Sequence, residues 1–337
     1  MVRRINELLI AASLLCATAV TAAEDAAPWL TPVDASAGYA ERRVSPVFAP
    51  PPGGVEFTQH AVEQNDAPVI PPTGRRPPGA RRAGVFQGAR STYEYLPGFD
   101  NDSFGHQAWL ASVDFGTPPL VLKAPLLISP GYGVHLFDGP AGLDVPATVH
   151  DLQLSFATFR PLTDRWLFRG NVIVGLYGDE HSLDDADAVQ VTGFAMGIYN
   201  ASPQWQWAVG AGYVNNADLS VIPVVGVIND RGWIKYEAMM PRPRIVVPLD
   251  QTPGRESSVY LSGEFGGGVW AVRRPSGVTE PLQLSRYAVL LGYERKAPGG
   301  AWRYELGYVF GRELEYQDSG DTLDVDDSLV ARIGWKF

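Results

Sequence analysis

Three of the five histidines, His106, His135 and His150, fall near the ends of predicted strands, and Asp151 follows His150 directly. Imidazole and carboxylate groups together are good ligands for zinc and similar ions, so a metal site at this rim is one interpretation. No tight His-x-His or His-x₃-His spacing joins these residues. We therefore interpret them as polar rim residues and predict no metal ligand and no cofactor.

A hydrolase is the second chemistry that these residue types allow. Either His135 or His150 would serve as the base and either Ser129 or Ser155 as the nucleophile, within hydrogen-bond reach of each other. No local motif couples a serine to a histidine, and Gly-x-Ser-x-Gly is absent. The sequence predicts no catalytic residue, and a surface lipid hydrolase is kept only as a lesser alternative.

Charged residues of both signs recur at alternate positions of apolar runs, where they are expected to line the inside of a sheet that closes on itself. Such a mixed lining favours cross-strand ion pairs over selection of one charge of solute. The predicted lining residues are Arg90, Glu94, Asp114, His135, Asp151, Arg169, Glu264, Arg286, Glu294, Arg303, Glu305 and Arg332. A triple glycine, Gly266 to Gly268, lies inside one run and predicts a bend or bulge there.

The elements that carry these residues are predicted to be strands. From Gly84 onward the chain runs in short alternating segments separated by turn residues, which is typical of β-structure. In the last segment, Ser328 to Phe337, one face carries leucine, isoleucine and aromatic residues, and the other carries Arg332 and Lys336. The apolar faces hold aromatic residues near strand ends, and the opposite faces mix glycine with polar residues, as in an outer-membrane barrel.

The spacing of turns predicts how many strands there are and which way they run. Short turns occur near 162–164, 201–203, 229–232 and 297–300, and longer polar loops occur at 97–105, 178–187, 274–281 and 313–327. If the C-terminus is periplasmic, the long loops face outward. Two further strands, 233–240 and 244–249, are then needed around the Pro241–Pro243 hinge. The sequence predicts an all-β, closed, antiparallel transmembrane barrel of 14 strands over residues 84–337, with 12 strands as the alternative.

The first 83 residues differ from the rest. Arg3 and Arg4, an apolar stretch and small residues before Glu24 predict a cleaved signal peptide over 1–23. The only cysteine, Cys16, lies within it. Residues 24–83 are rich in proline and lack alternation, which predicts a disordered periplasmic segment.

Composition narrows the class of protein further. Charged residues make up 19% of the chain, and the net charge of −10 excludes nucleic acid as an expected partner. Acidic residues crowd the predicted outer loops, but the run from Asp324 to Asp327 lacks the glycine and glutamate of an EF-hand. We interpret these loops as solvated.

Several segments resemble a bacterial family of unknown function that is predicted to form outer-membrane barrels. They begin at Leu126 (LLISPGYGVH), Pro241 (PRPRI), Gly263 (GEFGGG), Leu291 (LGYERK) and Gly307 (GYVFGRELEY). The resemblance covers roughly residues 84–337 and implies the barrel and the outer-membrane location. It brings no substrate and no catalytic residues.

The leading functional hypothesis from the sequence is an outer-membrane pore or transporter for small solutes, because a polar, glycine-containing interior in 12 to 14 strands is wide. The alternative is a structural or adhesive barrel, closed by ion pairs or by residues 24–83, that presents acidic loops. The expected partners are outer-membrane lipids and, through Ile333, Trp335 and Phe337 of the last strand, the barrel-assembly machinery.

Overall fold

The computed structural model describes residues 85–99, 103–118, 126–139, 144–214, 221–240, 242–252 and 254–337. The predicted signal peptide and the proline-rich segment lie outside these ranges, as does Pro241 of the predicted hinge. All of the described residues belong to one compact unit.

The described chain is built from strands and one short 3₁₀ turn, Ala186–Ala188. The strands are β1 (Phe86–Leu96), β2 (Gly105–Gly116), β3 (Leu126–Asp138), β4 (Thr148–Pro161), β5 (Trp166–Gly178), β6 (Val189–Asn200), β7 (Trp205–Tyr213), β8 (Val221–Asp230), β9 (Lys235–Met239), β10 (Arg244–Thr252), β11 (Arg255–Arg273), β12 (Thr279–Ala297), β13 (Gly300–Tyr316), β14 (Thr322–Val325) and β15 (Ser328–Lys336). Within the described residues, no helix is long and apolar enough to span a bilayer.

Fourteen of these strands close into one antiparallel barrel. Each pairs with its neighbour in sequence from β1 to β13, β13 then pairs with β15, and β15 pairs with β1. The closing seam runs from the Arg90–Lys336 pair to the Tyr95–Ala331 pair. The predicted barrel of 14 strands is thus confirmed, and the alternative of 12 is wrong.

The predicted loop 313–327 is in part wrong. Strand β13 continues to Tyr316, and the short β14 folds back on it, pairing Thr322 with Glu315 and Val325 with Arg312. The alternation is interrupted at Gly311, whose φ of +58° permits a bulge there. That interruption is why an apolar/polar count along the sequence could not extend the strand.

The two ends of the barrel differ, and we name them by their connections. The turn end carries the tight connections 162–165, 201–204, 231–234 and 298–299, and the chain terminus Phe337. The loop end carries the longer connections, including 179–188 and 317–321. This division follows the predicted pattern of short turns and long loops, except for the nine-residue connection 117–125 at the turn end and the four-residue connection 240–243 at the loop end.

The wall is uneven at the loop end. Strand β9 has only five residues, so β8 pairs with it from Gly226 to Asp230 only, and β10 reaches no further than Ser262 of β11. Strands β11 and β12 are instead 19 residues each. Beyond the β9–β10 hairpin, β11 turns across the barrel and forms one parallel bridge with β5, between Ala271 and Gly178.

Apolar and polar faces are reversed relative to a water-soluble sheet. The outward face of β13 reads Trp302, Tyr304, Leu306, Tyr308 and Phe310, and all five side chains are exposed. The inward faces bury charged and polar groups together with three apolar clusters. The side chains that could do chemistry therefore lie inside the barrel.

Candidate functional site

Six charged side chains meet inside the barrel, and we call them the interior ion network: Glu94, Glu264, Glu305, Arg242, Arg286 and Arg332. Arg332 is its centre, since it reaches Glu94 at 2.6 Å, Glu305 at 2.9 Å and Glu264 at 3.1 Å. These contacts join β1, β11, β13 and β15, strands that are far apart in sequence.

The outer members of the network complete its charge balance. Arg286 pairs with Glu94 at 2.8 Å, and Arg242 pairs with Glu264 at 3.0 Å and with Glu305 at 3.4 Å. None of the six side chains is more than 9% exposed. Three carboxylates thus face three guanidinium groups in a region that excludes water, where an unpaired charge would be costly. The Tyr260 hydroxyl donates a further hydrogen bond to Glu305.

A smaller polar cluster lies nearer the turn end. Arg90 donates to both carboxylate oxygens of Asp114, at 2.6 and 2.7 Å, and Ser129 donates to Asp114 at 2.7 Å. Both hydrogen bonds come from the single Nη2 of Arg90, and they are charge-assisted, so they are stronger than hydrogen bonds between neutral groups. This cluster ties β1, β2 and β3 together from the inside.

The predicted rim histidines separate into two environments. His106, His135 and Asp151 form a buried chain, with 3.0 Å between the two imidazoles and 3.1 Å from His135 to Asp151. His150 instead lies on the outward face, 3.0 Å from the Tyr132 hydroxyl. Among the described residues, no group of three or more His, Cys, Asp or Glu side chains could hold a metal ion.

The histidine chain ends on a tryptophan from the opposite side of the barrel. Trp270 Nε1 donates to Asp151 Oδ1 at 2.7 Å, across 119 positions of sequence. If Asp151 accepts from His135 Nε2, then His135 Nδ1 is left to accept from His106 Nε2, which fixes both neutral tautomers. The chain therefore anchors β11 to β2, β3 and β4.

The candidate serine nucleophiles are placed away from the histidines. Ser129 donates to Asp114, and Ser155 donates to Asn171 at 2.8 Å. A serine activated by histidine needs a hydrogen bond between the two side chains. The geometry brings His135 to His106 and Asp151 instead.

The remaining predicted lining residues also point inward, nearer the turn end. Arg303 lies 3.9 Å from Glu294, and Glu294 lies 3.2 Å from Lys296. Arg169 lies with its guanidinium carbon 5.9 Å from the ring centre of Phe194. These side chains are more exposed than those of the interior ion network. Their ion pairs therefore contribute less to stability, because solvent screens the charges.

The crossing of β11 bridges the loop end of the barrel. Asp179 N donates to Ala271 O at 3.1 Å, and Gln190 donates to Val269 O at 2.8 Å. Trp270 and Val272 pack into an apolar cluster that fills this end, which we call the loop-end cluster. It comprises Phe104, Phe137, Val149, Tyr177, Trp270, Val272, Leu282, Leu284, Leu314, Tyr316 and Val325.

One arginine fastens the loops above this cluster, and we call its contacts the loop clasp. Arg274 reaches Asp144 and Glu280 at 2.7 Å and Asp321 at 2.8 Å. It therefore joins its own connection, 274–278, to the connections 139–147 and 317–321 and to the start of β12. Its hydrogen bonds to these carboxylates raise the pKa of Arg274 above its ordinary value. Hydrogen bonds from Arg274 and Ser319 lower the pKa of Asp321.

Several residues of this interior are absent from the predicted lining residues, among them Arg242, Tyr260, Trp270 and Arg312. Arg242 follows the hinge proline, Tyr260 and Trp270 occupy inward positions of β11, and Arg312 follows the Gly311 bulge. Arg312 falls on the outward set if alternation is counted straight through Gly311. An arginine on a lipid-facing set is itself improbable, and that conflict was the signal for a bulge.

Comparison with known proteins adds little to the geometry. Residues 143–229 match a domain of unknown function (DUF6268). The match covers about a quarter of the chain, from just before β4 to β8, and lies between the segments that carry the sequence resemblance. No curated protein matches the chain.

Among the similar solved chains is one from work described as "Unveiling the Mechanism Behind the in-meso Crystallization of Membrane Proteins". It is 12% identical, with 74% of this chain and 83% of that chain covered, at a TM-score of 0.31. A likeness at that score carries no argument about fold or function.

Proposed function

We propose that the protein is an outer-membrane β-barrel whose interior is closed, and that it serves as a structural, loop-presenting barrel rather than an open pore. The observation that carries this proposal is the interior ion network, because six buried and mutually paired charged groups occupy the space that a pore would need. The loop-end cluster adds a second, apolar barrier.

The proposed membrane location is supported by the outward face. On β13, aromatic residues flank the aliphatic Leu306 on both sides, as in the aromatic girdles of membrane barrels. The eight steps from Trp302 to Phe310, at about 3.4 Å each and tilted by about 40°, span roughly 21 Å, close to the ~25 Å apolar band of such barrels. Outer-membrane lipids are then the partners of this face, reached after export by the predicted signal peptide.

Planar-bilayer recording of the purified mature chain tests the closed interior. We expect no steady conductance at any salt concentration or voltage from protein that shows a heat-modifiable gel shift. Long-lived, ohmic openings would overturn the proposal. A chain without residues 24–83 should be equally silent, because the charged and apolar barriers both belong to the barrel wall.

A gated passage for small solutes is the second candidate, and the crossing of β11 favours it. Beyond its triple glycine, β11 stays paired with β12, but it meets β5 in one bridge pair, supported by the hydrogen bonds of Asp179, Gln190 and Trp270. A β11–β12 hairpin that contacts the opposite wall at these few points is able to swing away from the mouth. Under this candidate, Trp270→Ala combined with Gln190→Ala should produce brief openings, whereas Trp302→Ala on the outward face should not.

A further inference from the structure

Two interior arginines lie side by side on neighbouring strands. Between the pairs Ser285–Glu313 and Tyr287–Phe310 the register of β12 and β13 shifts, and Arg286 faces the bulge that contains Gly311 and Arg312. Both arginines are almost fully buried, at 2% and 3% exposed. Like charges placed opposite each other on paired strands destabilise the sheet unless something of opposite charge lies between them.

The hydrogen bonds of the two guanidinium groups are incomplete. Arg286 donates from Nη2 to Glu94, while its Nη1 has no acceptor in the described part of the chain. Arg312 donates from Nη1 to the backbone carbonyls of Phe104 and Asp326, while its Nε and Nη2 have no acceptor there. Three buried guanidinium nitrogens on two adjacent cations are thus left for a further acceptor.

Three carboxylates of this region are already engaged, and a fourth, Asp326, is exposed. Glu94 is shared between Arg286 and Arg332. Asp151 accepts from His135 and Trp270, and Asp327 accepts from Tyr308 and from the backbone of Gly311. The interior ion network balances three carboxylates with Arg242, Arg286 and Arg332, so the charge of Arg312 remains without a carboxylate at ion-pair distance in the described residues.

We propose that Arg286 and Arg312 form a binding site for one small inorganic anion, enclosed between the interior ion network and the loop-end cluster. The anion accepts from Nη1 of Arg286 and from Nε and Nη2 of Arg312. The Phe104 ring, 5.4 Å from the guanidinium carbon of Arg312, bounds the site on the loop side.

The chemistry of the site favours a compact anion over an organic one. Guanidinium N–H groups recognise halides and oxyanions through charge-assisted hydrogen bonds. The site is walled by buried aromatic and paired groups, so a long ligand would have to displace the loop-end cluster. Chloride and inorganic phosphate share this chemistry, and the test distinguishes them.

Crystals of the full-length mature protein grown or soaked in sodium bromide test the site directly. We expect an anomalous bromide peak within hydrogen-bond distance of Arg312 Nη2 and Arg286 Nη1. If bromide is found on the barrel surface and not at these arginines, it is an adventitious ion only, and the proposal is overturned. Ordered water refined at the site in bromide and in phosphate would overturn it equally.

Thermal unfolding gives an independent test in solution. At constant ionic strength, replacing sodium gluconate by sodium chloride should raise the Tm of the wild type in proportion to the logarithm of chloride concentration. Arg312→Met should weaken the apparent affinity at least tenfold, whereas Arg303→Met, an inward arginine nearer the turn end, should leave the chloride dependence unchanged. A wild-type Tm that responds to neither chloride nor phosphate would contradict the site, and a response to phosphate alone would identify the anion as phosphate.

If Arg312→Met does not fold, the bromide experiment on the wild type still decides the question. The inference does not depend on whether the barrel conducts, because the anion is placed by buried donors rather than by a passage. A conducting barrel with bromide at Arg312 would therefore contradict the proposed closed interior and leave this site standing.

Discussion

At the scale of single residues, Arg332 shows how strongly one side chain can depend on its surroundings. It is the common partner of Glu94, Glu264 and Glu305, and each of these lies on a different strand. Removing one partner of a buried ion pair is far more destabilising than replacing both partners with apolar residues, because an uncompensated charge is left behind.

We expect Arg332→Met to lower the free energy of unfolding by about 3–5 kcal/mol, since it leaves buried carboxylates short of a cation. Urea unfolding of the folded protein in lipid vesicles, followed by the heat-modifiable gel band, measures this loss. The matched control is Arg295→Met, an exposed arginine of β12, which should change stability by no more than about 0.5 kcal/mol. Equal effects of the two substitutions would contradict a structural role for the network.

The loop clasp gives a prediction about pH. Hydrogen bonds from Arg274 and Ser319 lower the pKa of Asp321 in the folded protein. Asp321 therefore stabilises the clasp at pH values above the ordinary pKa of an aspartate, which is near 4. That contribution is lost as the pH falls through the lowered value. A nitroxide at Asp318→Cys should therefore become more mobile in electron paramagnetic resonance spectra below about pH 4.

The same label separates the clasp from general acid unfolding. With Asp321→Asn added, the nitroxide should already be mobile at neutral pH and should respond less to acid. A label on the turn-end residue Asp164→Cys serves as the control and should not respond in this range. Identical acid responses at both positions would argue against the clasp.

At the scale of elements, the decisive feature is the departure of β11 from the wall. Gly267 has a φ of +155°, and a Cβ built there would overlap the carbonyl oxygen of Leu284 on β12. Any larger residue would force β11 and β12 apart where β11 turns across the mouth. The triple glycine was expected to give a bend or a bulge; the register of β11 on β12 runs through it without a shift, so no bulge is present, and the positive φ lies at Gly267.

We expect Gly267→Val to cost about 1–3 kcal/mol of stability from backbone strain alone, and to free the β11–β12 connection. Trypsin should then cleave faster after Arg273 or Arg274. Gly299→Val is the control, because a Cβ at that turn meets no atom within 4 Å. If the two variants are cleaved at the same rate, the bend does not position the crossing.

At the scale of the whole molecule, the barrel depends on a seam between its first and last strands. Phe337 N donates to Ala89 O at 2.8 Å, and the Phe337 ring lies 6.0 Å from the Trp335 ring and 6.3 Å from the Phe86 ring. The contact is modest for stability, since the Phe337 side chain is exposed. The predicted role of this residue is in assembly, through recognition of the last strand by the assembly machinery.

We expect Phe337→Ala to reduce the yield of folded barrel in cells severalfold while hardly changing the unfolding midpoint of the protein that does fold. Phe86→Ala removes the same ring contact from the other side of the seam and should not reduce the yield. Heat-modifiable bands from membrane extracts measure the yield of each variant. Parallel losses of yield in both variants would assign Phe337 a structural role in the seam instead.

Much of the architecture follows from local pattern. Alternation along segments such as Trp302 to Phe310 determined which residues face out, because period two leaves no other arrangement of a strand. Turn residues and loop lengths determined the strand count and direction. The pair of strands inferred at the proline hinge is present as β9 and β10. Strand β9 begins two residues later and ends one residue earlier than the predicted range, 233–240.

What the sequence by itself determined about this protein is therefore the identity of its faces, and what only the tertiary structure decided is which inward residues meet. Arg332 and Glu94 are 238 positions apart, and they touch because the barrel closes at β1 and β15. Arg312 turns inward because a bulge shifts the alternation by one. Strand patterns act over neighbouring residues, whereas ion pairing, the crossing of β11 and the filling of the interior depend on curvature and closure of the whole sheet.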